Sequence, residues 1–138
     1  MIWAIGLDDT DLLNGDCTTW HAHQLEHVLT KQGAIPIERR VGRLWPFAVR
    51  RTRGNAALAL VLEVSDEIQD DCISAIENWF SDLVDHIHEH DATNHARPGL
   101  IVCNDGEMDE GIYWECVRSE FSDVNRIINH ESVILQLS

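Results

Sequence analysis

Positive charge is the first thing this chain lacks. Lys and Arg together number 10 against 24 Asp and Glu, for a formal net charge of −14, and Lys31 is the only lysine. A surface that acidic excludes a general nucleic-acid platform, because phosphate contacts come from cations; a salt-rich cytoplasm is one setting that favours such a surface. No apolar run approaches the ~20 residues of a membrane span, and the N-terminus has neither the basic segment nor the long apolar core of a signal peptide, so a cytoplasmic protein is expected. The cysteines Cys17, Cys72, Cys103 and Cys116 contain no CxxC pair. That excludes a zinc ribbon or a thioredoxin-type motif and leaves free thiols as the simplest reading. Repeats, low-complexity linkers and composition breaks are also missing, so the 138 residues are expected to form one domain, long enough to bury a sizeable core.

What is present is concentrated. The stretch GLDDTDLLNGDCTTW places Asp8, Asp9, Asp11 and Asp16 within nine positions, directly after the apolar run Ile2, Trp3, Ala4 and Ile5. Like charges at that spacing repel, so the loop is either fully solvated or built around a cation. It is neither GxxxxGK[ST] nor GxGxxG, so the familiar phosphate-loop signatures do not explain it. The residues after it turn helical from Thr18 to about Gln32, with Trp20, His23, His27 and Val28 among the spaced positions and Gly33 as the stop. A helix start offers free N–H groups and positive dipole potential, which makes residues 15–19 a natural anion site facing the carboxylates.

The remaining pattern predicts strands over 2–7, 34–43 and 55–64, a loop over 44–54, and a helix from Ser65 or Asp66 to about His86. In that helix Ile68, Cys72, Ile76, Trp79, Phe80 and Leu83 fall on the core face. A polar connection then leads to the strand LIVCN. A helix is predicted over 108–121, and SVILQLS reads as a strand or as final helical turns. The order of elements predicts an α/β or α+β domain with a mixed β-sheet flanked by helices.

Six of the ten basic residues lie between Arg39 and Arg53: Arg39, Arg40, Arg43, Arg50, Arg51 and Arg53. The cluster is either a solvated strand face or a phosphate or RNA-backbone cradle, for which the forked guanidinium suits better than an ammonium. Trp45 and Phe47 either pack in the core or stack a base beside it. His86, His88, His90 and His95 share the polar connection, but nothing in the sequence makes them converge as metal ligands.

Two motifs carry a resemblance. GLDDTDLLNGDCTTW, followed about thirty residues on by RRTRGNAALALVLEV, resembles the N-terminal domain of the archaeal tRNA-Ile agmatidine synthetases (TiaS), over roughly residues 1–104 and including RPGLIV. The resemblance implies an ATP-dependent kinase domain that phosphorylates the wobble cytidine of a tRNA and autophosphorylates a threonine, by position Thr18. It implies Asp8, Asp9 and Asp11 as catalytic and Mg²⁺-holding residues with Thr18 as acceptor, and Gly15, Cys17, Thr18, Thr19, Arg51, Arg53 and Asn55 around the nucleotide. Arg51 stands where the family usually has lysine, and TNHARPG departs from the family's segment. The ferredoxin-like, OB-fold and zinc-ribbon domains that follow in the family have no counterpart in these residues. The expected function is therefore an ATP- and Mg²⁺-dependent phosphotransferase or ATPase, with ATP and a tRNA or another RNA as partners and the phosphate acceptor left open. The alternative is a non-catalytic nucleotide-binding or regulatory module acting with a partner chain that supplies the missing domains.

Overall fold

Alternation in the first strand sets the layers. In β1 (Ile2–Asp8) Trp3, Ile5 and Leu7 are buried on one face, as the two-residue period of a strand requires. The structure is a computed structural model and describes residues 1–12, 17–43, 56–90, 96–104 and 133–138; the expected loop over 44–54 and helix over 108–121 lie outside them. After β1 come α1 (Thr18–Lys31), β2 (Ile35–Arg43), β3 (Ala56–Glu63), a 3₁₀ turn (Asp66–Ile68), α2 (Gln69–His90), β4 (Gly99–Asn104) and β5 (Val133–Leu137). The C-terminal segment is thus a strand.

The sheet order is β2-β3-β1-β4-β5, and every pairing among these strands is antiparallel. The α+β class holds, while the expected mixed sheet is corrected to an antiparallel one. The reason is topological. Strands β1 and β2, joined through α1, run the same way but are separated by β3; β3 and β4, joined through α2, are likewise separated by β1. Two split β-α-β units therefore interlock, and β1 lies at the centre.

Across that centre the register stacks leucines. Leu58, Leu60 and Leu62 of β3 face Leu7, Ile5 and Trp3, and Leu100 and Val102 of β4 face Leu7 and Ile5. Both helices cover this face, α1 with Ala22, Leu25 and Leu29, α2 with Cys72, Ile76, Phe80, Leu83 and Ile87. The α2 core face agrees with the periodicity, with Ile68 and Trp79 packed at its margin. The α1 phase does not: the buried positions are Thr18, His21, Ala22, Leu25 and Leu29, whereas Trp20, His23 and His27 are exposed. On the opposite face a smaller row, Val61, Ala4 and Cys103, is also buried.

Helix α2 runs past His86 to His90, so His86, His88 and His90 belong to its exposed last turns and not to a connection. The rings of His86 and His90 lie 4.5 Å apart, as an i, i+4 pair does. Among the described residues no three His, Cys, Asp or Glu side chains converge as metal ligands. Cys17, Cys72 and Cys103 are free thiols. No helix among the described residues is long and apolar enough to cross a membrane.

Helix α1 ends as its sequence signalled. Gly33 adopts φ 104°, its N–H donates to the Thr30 carbonyl at 3.0 Å, and Ala34 N–H donates to Leu29 at 3.1 Å. This is a Schellman closure with Ala34 and Leu29 both buried. A side chain at Gly33 is strained by that φ whatever the space around it. Gly33→Ala is expected to lose about 1–2 kcal/mol in urea unfolding, and Gly33→Asn less, because asparagine enters the left-handed region more readily. Equal stability of Gly33→Ala and wild type would contradict this closure.

Candidate functional site

The carboxylate loop leaves the C-terminal end of β1, in the centre of the sheet. Asp8 is the last β1 residue, opposite Gly99. Asp9 then takes φ 59°, a left-handed turn that aspartate tolerates better than most residues. Its Oδ2 accepts the Arg97 backbone N–H at 2.9 Å, which ties the end of β1 to the approach to β4. Asp11 turns toward α1. Its Oδ1 accepts the Thr18 backbone N–H at 2.6 Å and the Thr18 hydroxyl at 3.2 Å. The residue preceding the helix, Cys17, makes no side-chain cap, so a carboxylate seven residues upstream does that work. The anionic cap suits the positive end of the helix dipole.

Between Asp9 and Asp11, Thr10 points inward and is fully buried. Its hydroxyl donates to Thr18 Oγ1 at 3.0 Å, and His21 Nδ1 lies 2.8 Å from Thr10 Oγ1. Thr18 and His21 are buried as well. Asp8, Asp9, Asp11, Cys17, Thr18 and Thr19 are therefore brought to one end of the sheet, around the start of α1. The expected Asp16 and the nucleotide-binding Gly15, Arg51, Arg53 and Asn55 lie outside the described residues, as do Trp45, Phe47 and His95.

Thr10 and the Arg97 backbone were not singled out by the sequence, and His21 stood out only with His23 and His27 as a histidine of the first helix, for which a surface or helix-packing role is expected. A signal for His21 existed: it is in phase with Thr18, Ala22, Leu25 and Leu29, one position from where the apolar stripe was placed. Contact between Arg97 and Asp9 spans 88 positions and leaves no local trace.

The arginines of β2 do not form one cradle. Adjacent strand residues point to opposite faces, and Arg39 pairs across Leu60 while Arg40 pairs across Ala59. Arg39 makes a fork to Glu26, Nε to Oε2 at 2.6 Å and Nη2 to Oε1 at 2.7 Å, and donating to the Glu26 carboxylate raises its pKa. Arg40 pairs with Glu38 on the same strand. Both guanidinium groups are neutralised within the chain. Beside the start of α1 a groove of about 450 Å³ opens between the helix and the sheet, its lining including Cys17, Thr19, Trp20, His23, Val41 and Leu60. It is mainly apolar, with the Trp20 and His23 rings 5.6 Å apart.

Asp8, Asp9 and Asp11 do not converge as a three-carboxylate site, but a hard dication takes carboxylate oxygens one or two at a time and completes its shell with phosphate and water oxygens. Asp8 carries the clearest sign of unmet charge. Burial, then repulsion from Asp9 and Asp11, pushes its carboxyl from 3.8 up to about 6, against a smaller opposing effect of the Asp9 backbone N–H. Asp9 commits Oδ2 to the Arg97 N–H and Asp11 commits Oδ1 to Thr18.

The Asp8 shift fixes a pH dependence. The folded chain holds this proton to about pH 6, the unfolded chain only to 3.8. The resulting stabilisation is complete below the lower value and is lost as pH rises through the upper one, up to about 3 kcal/mol for a two-unit shift. In chelator, Asp8→Asn is expected to unfold at increasingly higher temperature than wild type as pH rises through that window, with the difference constant above it. A pH-independent difference would show that the Asp8 carboxylate is well solvated.

Comparison with known proteins follows the same residues. The TiaS TCKD domain profile matches residues 4–134. Over 124 residues the chain is 37% identical to the tRNA(Ile2) 2-agmatinylcytidine synthetase TiaS of Methanopyrus kandleri, covering 86% of this chain and 26% of that protein. It is 35% identical over 108 residues to the TiaS of Cenarchaeum symbiosum, covering 74% and 21%. The chain thus spans about a quarter of the length of the curated relatives it matches. The crystal structure of a TiaS–tRNA(Ile2)–ATP complex has the same fold, with a TM-score of 0.73 at 21% identity over 99% of this chain and 32% of that one. With the profile matched from β1 to β5, and with relatives above 30% identity across most of its length, the chain belongs to the TiaS TCKD domain family.

Proposed function

We propose that this chain is an ATP- and Mg²⁺-dependent phosphotransferase domain serving tRNA modification, with Thr18 as its own phosphoryl acceptor. The observation that carries this reading is the placement of the Thr18 hydroxyl. It sits at the start of α1 with its proton directed at Asp11 Oδ1, 3.2 Å away, beside the crowded carboxylates of Asp8 and Asp9. ATP and tRNA(Ile2) are present together in the complex of a structural relative, and the curated relatives are named as 2-agmatinylcytidine synthetases.

In this reading Asp8, Asp9 and Asp11 would supply the carboxylate oxygens for Mg²⁺, which would neutralise phosphate oxygens and steady the charge that develops during transfer. Thr18 Oγ bonds to the γ-phosphorus of ATP, the bond to the β,γ-bridging oxygen breaks, ADP leaves, and the hydroxyl proton passes to Asp11. Free N–H groups in the first turn of α1 then face the new phosphate. The apolar groove lined by Trp20 and His23 offers a place for a planar base. Asn55 directly precedes β3 in sequence, and β3 begins at the same end of the sheet as Asp8, so Arg51, Arg53 and Asn55 are assigned to the ATP phosphates. The acceptor beyond Thr18 is the RNA.

A second reading has its own observation. Thr18 is 5% exposed and its hydroxyl both donates and accepts hydrogen bonds within the chain, as a purely structural cap would. Under that reading the domain binds nucleotide without transferring phosphate and works through a partner chain.

Intact-protein mass spectrometry after incubation with ATP and Mg²⁺ separates the two. One added phosphate, absent in Thr18→Ala, is expected; unchanged mass with ATP bound favours the second reading, and a gain that persists in Thr18→Ala moves the acceptor, with Thr19 the first candidate. Asp9→Asn is expected to slow ATP turnover by ~10² or more, about 2.7 kcal/mol of transition-state stabilisation. Undiminished turnover would remove the carboxylates from catalysis.

A further inference from the structure

Thr18 and two buried side chains behind it form a hydrogen-bond chain whose direction can be worked out by counting protons. An ionised carboxylate only accepts, and a threonine hydroxyl has one proton to give. The Thr18 proton goes to Asp11 Oδ1, so Thr18 Oγ1 can only accept from Thr10 at 3.0 Å. The Thr10 proton is then committed, and Thr10 Oγ1 can only accept from His21 Nδ1 at 2.8 Å. The anionic end polarises the whole chain, and it requires a proton on His21 Nδ1.

We propose that Thr10 and His21 are positioning residues for Thr18. The one-way chain His21 Nδ1–H to Thr10, Thr10 O–H to Thr18 and Thr18 O–H to Asp11 holds the Thr18 hydroxyl in a single rotamer with a lone pair left for an incoming electrophile. Thr18 Oγ has two lone pairs, and one of them takes the Thr10 proton. The proposal rests on the reading of Thr18 as phosphoryl acceptor. It adds two residues that touch neither nucleotide nor metal in that reading and act only through Thr18. Burial explains why they can do so: Thr10 is 0% and His21 1% exposed, so water does not compete for either bond and the geometry is fixed by packing. Position in the helix explains why it is His21 that does it. At i+3 from Thr18 it lies on the same face of α1, and the Thr10 hydroxyl bridges the two side chains.

The test uses the full chain with ATP and Mg²⁺ and two independent readouts. The first is the rate of phosphate incorporation at Thr18. Thr10→Val removes the hydroxyl and keeps the branched shape, and is expected to slow incorporation at least tenfold with the KM for ATP unchanged; Thr10→Ser restores the hydroxyl and the rate. His21→Leu is expected to slow it similarly, and His21→Asn, whose amide N–H₂ stands close to the place of Nδ1, to recover most of it. The second is nitrogen-resolved NMR of histidine-labelled protein, expected to show a protonated Nδ1 on His21 whose signal shifts in Thr10→Val and returns in Thr10→Ser. That spectrum also reports whether each variant is folded. An undiminished rate in folded Thr10→Val, or an unprotonated Nδ1, overturns the positioning role and leaves Thr18 as acceptor. Absence of phosphate on Thr18 in the wild type overturns the acceptor reading itself, and the positioning role with it.

Discussion

The bond from the Thr18 N–H to Asp11 Oδ1 joins the two structures on which the site depends. Strand β1 is the central strand of the sheet and α1 is the first layer over it, and this bond fixes where one ends and the other begins. At 2.6 Å with an ionised acceptor it belongs to the stronger class of hydrogen bonds. It also explains how three acidic residues can crowd the end of a buried strand. Asp11 is compensated by the helix terminus and Asp9 accepts a backbone N–H from the approach to β4. Asp8 is left with the electrostatic strain, and its carboxyl shows it. One loop therefore contains two carboxylates that support the fold and a third that the fold alone does not satisfy.

Much of the fold was legible because long periodic segments dominate it. The apolar spacing from Ile68 to Leu83 and the near-continuous run in β3 each specify one element, and Gly33 marked the end of α1 through the same φ requirement that the structure shows. Strand direction was not legible. Antiparallel pairing of β1 with β3 and β4 depends on which strands come to lie side by side, and local sequence contains no record of that. The phase of α1 was misread because its exposed face carries Trp20 and its buried face carries His21, the reverse of what hydrophobicity suggests. A buried histidine becomes sensible only once Thr10 is placed beside it, and that placement is tertiary.

The candidate site was legible in its residue types and less so in its geometry. Carboxylates next to a helix start follow from the sequence order alone. What the sequence could not divide was labour among them, because Asp8, Asp9 and Asp11 differ only in what they face. The β2 arginines show the converse. Their density suggested a single patch, but strand alternation sends Arg39 and Arg40 to opposite faces, and the nearest carboxylates, Glu26 and Glu38, claim them.

A net charge of −14 poses a problem for any protein that binds a polyphosphate, and the distribution of charge resolves it. Screening confines each exposed carboxylate to a Debye length of ~8–10 Å at physiological ionic strength, so the acidic outer face of α2 matters less to a bound anion than the groups beside it. In the proposed reading those groups are the N–H donors of α1 and a cation among the carboxylates near the end of β1, with Arg51 and Arg53, which precede β3 in sequence, assigned to the phosphates. Since Arg39 and Arg40 are already paired, they add little to this local field. In the proposed reading the anion site then depends on a metal together with Arg51 and Arg53, and not on the β2 pair. In that case the crowded carboxylates do not oppose phosphate binding but are its precondition, because they create the potential that draws the dication the phosphates need.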